Sequence, residues 1–245
     1  MLLDLQHIDC LTLLKTLPDG SIDLILQDLP YNTTDCHWEY EVDLNVMWNE
    51  WGRVIKPNGA IIFTARQPFT SKIVLSKMDY YRHKWVWIKS QSGSFANAKY
   101  MPMQIEEDVL VFSKNTCNYY PIMAKGKLRK KGGSKVKNEI QSGLKQNYFT
   151  VNDDYYPVNV LEYPNCSNKA DNIHPTQKPV DLMRYLILTY SNEGETVFDG
   201  YSGSGTTALA CQIEKRKFIG AELNKEYYDK SINRLEMARL QTSLF

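Results

Sequence analysis

The chain has 245 residues, 43% of them hydrophobic and 23% charged, which suits one globular domain with a sizeable core and excludes a disordered, collagenous or coiled-coil chain. No apolar run approaches the roughly 20 residues of a membrane span, and the acidic start MLLDLQHID is unlike a signal peptide, so a soluble cytoplasmic protein is expected. The net charge of +1 hides a segregation: seven bases crowd residues 125–137, and without them 22 bases face 28 acids, a balance of −6.

In chain order, Asp9 is placed to cap a short helix through Leu17, Pro18-Asp19-Gly20 turns the chain, and Ile22 to Leu26 reads as an apolar strand stopping at Asp28. Leu44, Met47, Trp48, Trp51, Val54 and Ile55 recur at helical spacing, and Pro57-Asn58-Gly59 is expected to end that helix before a strand at Ala60–Phe63. Strand-like runs follow at Lys84–Ile88 and Val109–Phe112. The sequence then turns polar, basic and aromatic, with Gly126, Gly132, Gly133 and Gly143 interrupting any long element. Regularity returns with a helix over Val180–Tyr190, a strand at Thr196–Phe198, a helix over Thr206–Gln212, a strand at Phe218–Ala221 and a helix over Tyr227–Leu235. Strand, helix and strand in alternation imply an α/β fold with a mostly parallel sheet and helices on both faces. The expected organisation is one domain in two halves, residues 1–114 and 173–245, around an insertion at 115–172.

Chemistry concentrates in two places. Asp199-Gly200-Tyr201-Ser202-Gly203-Ser204-Gly205-Thr206-Thr207 lies between a strand and a helix, with Glu222 at the end of the next strand. Glycines there admit a ligand close to the backbone, and an acid one strand later can accept hydrogen bonds from ribose hydroxyls, as an adenosine-containing cofactor needs. A tight turn with a structural need for glycine is the competing explanation. Gly203 to Ala208 also fits a relaxed dinucleotide pattern, which keeps an oxidoreductase in view, whereas a P-loop is disfavoured because no Lys precedes Thr206. The second place is Asp28-Leu29-Pro30-Tyr31, where a carboxylate, a proline-fixed backbone and a ring can hold a planar amino-bearing base. Its alternative is a proline turn with a packing tyrosine.

Taken together, these motifs resemble the beta class of S-adenosylmethionine-dependent DNA amino-methyltransferases. Asp28-Leu29-Pro30-Tyr31 is similar to that family's (D/N/S)PP(Y/F/W) tetrapeptide, His174-Pro175-Thr176-Gln177-Lys178-Pro179 to its HPTQKP segment, and Asp199 to Thr207 to its DPFxGSGTT loop. The tetrapeptide precedes the cofactor loop with the variable region between, which is the permuted beta-class order. Leu29, Gly200 and Tyr201 depart from the pattern, but Asp28, Pro30 and Tyr31 keep the functional groups, so activity is expected.

The resemblance implies a Rossmann-like methyltransferase fold with a target-recognition insertion. It assigns catalysis to Asp28, Pro30 and Tyr31, and the cofactor to Asp9, Thr176, Lys178, Asp199, Tyr201, Gly203, Ser204, Gly205, Thr206 and Glu222. Asp9 has a structural alternative as a helix cap, and Lys178 one as a surface lysine. An exocyclic nitrogen attacks a sulfonium methyl only once its ring-delocalised lone pair is localised. Asp28 and the Pro30 carbonyl each accepting one N–H would do this, with Tyr31 stacking on a base flipped from the duplex and no metal involved. Aspartate at position 28 points to adenine N6, with cytosine N4 the alternative in the same fold and a degenerate DNA-binding protein the alternative of another class.

The basic run, with Lys127, Arg129, Lys130 and Lys131 as candidate phosphate contacts and Tyr119, Tyr120, Tyr148, Tyr155 and Tyr156 nearby, suits double-stranded DNA; a solvated loop is its bland reading. Five scattered cysteines without a CxxC pair suggest reduced thiols, and the four histidines show no ligand spacing, so no metal is expected. The family further implies a homodimer and, in a restriction-modification setting, a cognate endonuclease.

Overall fold

The computed structural model describes residues 2–30, 42–93, 95–131, 150–166, 173 and 177–242. The chain divides into a larger unit, residues 1–120 and 159–245, and a smaller one, residues 121–158.

In the larger unit the elements run β1 (Leu3–His7), α1 (Cys10–Thr16), β2 (Ile22–Gln27), α2 (Leu44–Val54), β3 (Ile55–Ala65), α3 (Phe69–Ser76), β4 (Tyr81–Gly93) and β5 (Gln104–Phe112). The smaller unit contributes β6 (Ala124–Lys131) and β7 (Thr150–Tyr155). The larger unit resumes with β8 (Val160–Glu162), α4 (Val180–Tyr190), β9 (Thr196–Asp199), α5 (Thr206–Ile213), β10 (Lys217–Glu222) and α6 (Lys225–Thr242).

Eight strands form one sheet in the order β1-β10-β9-β2-β3-β5-β4-β8. Pairing is parallel from β1 through β3 and between β4 and β8, and antiparallel where β5 joins β3 and β4. Because side chains alternate across a strand, each central strand feeds two cores. Leu24, Leu26, Ala60 and Ile62 pack with Leu182, Leu186 and Ala210 of α4 and α5. Ile22, Ile25, Ile61 and Phe63 pack with Leu13, Leu14, Trp48, Trp51 and Ile73 of α1, α2 and α3. Helices therefore cover both faces, the α/β architecture expected from the alternation.

Caps and bulges set the boundaries. The Asp9 side chain accepts from Thr12 N–H and caps α1, and Asp43 caps α2 through Asn45 and Val46. Pro57-Asn58-Gly59, expected as a helix stop ahead of the strand, lies inside β3 as a bulge, since Ile22 pairs Ile55 while Leu24 pairs Ala60. Glycine is required at 59 because a Cβ would lie 2.7 Å from the Asp23 carbonyl oxygen. No helix among the described residues is long and apolar enough to cross a membrane.

The smaller unit contains an antiparallel ribbon, with Lys125 opposite Asp154 and Arg129 opposite Asn152. The Tyr155 ring lies over Gly126, where a Cβ would approach it to 2.7 Å, and the Arg129 guanidinium sits 5.1 Å from the ring centroid. The Tyr155 hydroxyl donates to the Lys127 carbonyl at 2.6 Å. Lys125 is held by Asp154 at 2.7 Å and Asp153 at 3.4 Å.

Candidate functional site

Strand order reverses between β9 and β2, whose chains depart to opposite sides, and the crevice beyond the carboxyl ends of strands at such a point is where ligands enter this architecture. The side-chain rows facing α4, α5 and α6 turn polar at that edge. Leu24 and Leu26 lead to Asp28, Ala60 and Ile62 to Thr64, Val111 and Val109 to Glu107, and Trp85 and Trp87 to Lys89. On the other side of the reversal Val197 leads to Asp199 and Phe218 to Glu222.

Asp28 is gripped on both oxygens. The Thr64 hydroxyl donates to Oδ1 at 2.5 Å, and Lys178 Nζ donates to Oδ2 at 2.7 Å. The same ammonium is 3.2 Å from Glu107 Oε1, and Lys89 Nζ is 2.6 Å from Glu107 Oε2. Burial alone would depress the Lys178 ammonium, but Asp28 and Glu107 outweigh it and raise its pKa above the ordinary lysine value. Leu29 points into the core beside α2, so the residue that departs from the family tetrapeptide serves packing.

The cofactor-type loop is built on left-handed glycines, Gly203 at φ 49° and Gly205 at φ 69°, the latter immediately before α5. Gly203 N–H donates to Glu222 Oε2 at 2.7 Å and Asn224 N–H to Oε1 at 2.7 Å. Burial raises the Glu222 pKa against these backbone donors. The Leu223 N–H faces the same carboxylate, and since a carboxylate offers about four lone-pair sites, Glu222 keeps an acceptor for one hydroxyl. Asp199 is buried, accepts from Tyr201 N–H at 3.0 Å, and has its pKa pushed up to about 7, mainly by desolvation and further by the charges of Asp28 and Glu222. Gly200 is where a Cβ would run into Cys10 Sγ. The glycine loop, the half-buried Tyr201 and the acceptor at Glu222 fit an adenosine-bearing cofactor.

Ser204 and Thr206 turn toward α6: their hydroxyls lie 2.9 Å apart, and Arg234 donates to Ser204 O at 2.9 Å and Thr206 Oγ1 at 3.1 Å. Asp9 sits just past β1, whose His7 pairs with Glu222, and also caps α1. Asp28, Asp199, Tyr201, Gly203, Gly205 and Glu222 thus gather along one edge, with Pro30 two residues beyond Asp28. Lys178, expected on the cofactor side, has its ammonium on Asp28. Tyr31, Thr176 and His174 lie outside the described residues. Lys127 and Arg129 belong to the β6–β7 ribbon, as do Lys130 and Lys131 by backbone. Thr64, Glu107 and Lys89 escaped sequence reasoning; the signal is the parity of their strands, which places a polar residue at the end of each apolar row.

Comparison with known proteins identifies the family. The family model described as DNA methylase, of the N6/N4 group, matches residues 22–233. The chain is 32% identical over 250 residues to the DNA adenine methyltransferase YhdJ of Escherichia coli, covering 95% of this chain and 82% of that protein. It is also 32% identical over 238 residues to the type II methyltransferase M.HpaI of Haemophilus parainfluenzae, covering 91% and 71%. Among solved structures, the M1.HpyAVI–SAM complex superposes with a TM-score of 0.64 at 24% identity, covering 95% of this chain and 99% of that one. The cytosine-N4-specific PvuII DNA methyltransferase gives 0.68 at 18% identity, covering 94% and 85%. The chain belongs to the N6/N4 family of DNA methylases, enzymes dependent on S-adenosylmethionine.

Proposed function

We propose that this chain methylates the exocyclic N6 of adenine in double-stranded DNA at a short specific sequence. The observation that carries the reading is the juxtaposition, across the β9/β2 reversal, of the Asp28 carboxylate with the glycine loop and Glu222. Relatives named as adenine-specific or type II DNA methyltransferases, and aspartate at position 28, support it.

Bound S-adenosylmethionine supplies an electrophilic methyl on a sulfonium sulfur. Glu222 and the backbone of 203–205 hold the adenosine part, and Tyr201 offers it an aromatic face. Asp28 and the Pro30 carbonyl each accept one N–H of the flipped base, drawing the nitrogen toward tetrahedral geometry with its lone pair aimed at the methyl. Asp28 also stabilises the positive charge that develops on the nitrogen, whose proton would leave afterward to Asp28 or water, and Tyr31 stacks on the base. Asp9 and Thr176 complete the cofactor side, with Ser204 and Thr206 shaping the loop through Arg234.

Residues 115–172 act as the target-recognition region, with Lys127, Arg129, Lys130 and Lys131 on phosphates. The cytoplasmic enzyme works as a homodimer, and in a type II setting it shares its site with an endonuclease, as the type II names among its relatives suggest. The test is incubation with unmethylated plasmid DNA and cofactor, digestion to nucleosides and mass spectrometry. N6-methyladenine is expected; N4-methylcytosine alone would transfer the reading to the cytosine branch, and no methylated base would end it.

A further inference from the structure

The four charged groups Lys89, Glu107, Lys178 and Asp28 form one continuous chain from the β4–β5 edge to the base-binding carboxylate. The links are 2.6 Å from Lys89 to Glu107, 3.2 Å from Glu107 to Lys178 and 2.7 Å from Lys178 to Asp28. Side-chain exposure falls from 29% at Asp28 to 10% at Lys178 and 3% at Glu107, then rises to 15% at Lys89. Two acids and two bases make the chain neutral.

Stability does not account for it. Desolvating an ammonium and a carboxylate this deeply is costly, and replacing such a pair with well-packed apolar residues is often neutral or stabilising for a fold. Apolar rows flank it: Trp85 and Trp87 precede Lys89, and Val109 and Val111 follow Glu107. Glu107 reaches the site by way of Lys178.

We propose that Glu107 is a positioning residue for methyl transfer. By fixing the Lys178 ammonium from behind, it holds Asp28 Oδ2 in place while Thr64 holds Oδ1, so that the carboxylate meets the base amino group in one orientation; Lys89 balances the Glu107 charge. The inference rests on the reading of Asp28 as the base's acceptor. It reassigns Lys178 from the cofactor to the acceptor. A misplacement of about 1 Å in such a group is worth on the order of a hundredfold in rate.

The test compares wild type with Asp28→Ala, Glu107→Gln, Lys178→Met and the Glu107→Gln/Lys178→Met double variant. Single-turnover methylation of unmethylated plasmid DNA is measured at saturating S-adenosylmethionine, with cofactor affinity by calorimetry. Glu107→Gln is expected to slow transfer by about tenfold to a hundredfold with cofactor affinity within about twofold of wild type, and the double variant to be no slower than Lys178→Met. Should Glu107→Gln melt early from its charge imbalance, Glu107→Gln/Lys89→Met restores neutrality and is expected to remain slow. A wild-type rate in either Glu107 variant, multiplicative losses in the double, or a Lys178→Met defect confined to cofactor affinity would overturn the positioning role. A wild-type rate in Asp28→Ala would instead remove the reading of Asp28 beneath it.

Discussion

The Gly203 amide donates to Glu222 Oε2 at 2.7 Å, tying the glycine loop after β9 to the acid that ends β10. The carboxylate proposed to receive the cofactor therefore also shapes the loop. Glu222→Ala should weaken S-adenosylmethionine about tenfold to a hundredfold, since charge-assisted hydrogen bonds are worth about 1.5 to 3 kcal/mol each. Titration calorimetry with unchanged affinity would remove Glu222 from the cofactor site.

Asp28→Ala should separate the two halves of the site. Its carboxylate is engaged by Thr64 and Lys178 on the far side of the strand reversal from Glu222. Cofactor affinity should stay near wild type while N6-methyladenine formation drops by two orders of magnitude or more, of the kind seen when a preorganised charge is removed. Retained turnover would contradict its role.

Asp199 makes stability depend on pH in an unusual direction. Its folded pKa of about 7 exceeds the unfolded value, so the folded state binds the extra proton between about pH 4 and pH 7. The contribution of Asp199 to stability is full below that window and is lost as pH rises through it, by at most about 4 kcal/mol for a three-unit difference. Asp199→Asn removes the ionisation. Its melting temperature should gain on wild type between pH 5 and pH 8, by roughly 10 °C at the upper limit. Parallel melting curves would show that Asp199 does not titrate there.

The basic ribbon should contribute affinity without specificity. Replacing Lys127, Arg129, Lys130 and Lys131 with alanine should flatten the dependence of log affinity on log salt by about 0.9 for each phosphate no longer neutralised. Cognate and scrambled duplexes should weaken together, because phosphate contacts position and base contacts specify. An unchanged slope would leave the run as a solvated surface, and weakening on the cognate duplex alone would move it to base readout.

Gly200 and Cys10 should behave as one unit. Gly200→Ala drives a methyl into Cys10 Sγ and should cost about 1 to 3 kcal/mol, as overpacking does. In a Cys10→Ala background the cost should shrink, a coupling that a double-mutant cycle of thermal unfolding would reveal. Additive losses would mean that the loop moves aside instead.

Local signals make much of this fold legible. Val180–Tyr190 is bounded to the residue by its apolar spacing and by Pro179, and β2, β9 and β10 are located to within one residue at each end by short apolar runs that lead to Asp28, Asp199 and Glu222. Short, alternating or polar strands carry no such mark. β1 alternates Leu3, Leu5 and His7 with polar residues, and β6, β7 and β8 are held by cross-strand partners that a single sequence does not reveal. The glycine loop and Asp28 announce themselves by composition and spacing. Glu107 and Lys89 do not, because the contact of Glu107 with Lys178 crosses 71 positions of chain, and that of Lys89 with Glu107 depends on the antiparallel pairing of β4 with β5.

In the sheet order, β10 and β9 lie between β1 and β2. On the ribosome, β1 and β2 emerge first, and the two strands that separate them follow only at residues 196–222. At about 5 to 20 residues per second the wait is on the order of ten to thirty seconds. Throughout it, β1 lacks the neighbour it has in the finished sheet and β2 keeps an open inner edge, while exposed edges invite pairing with other chains. The crevice between Asp28 and Asp199 therefore gains its second wall only once residues 196–222 have emerged, and a product truncated before them would have no methylation site to misuse.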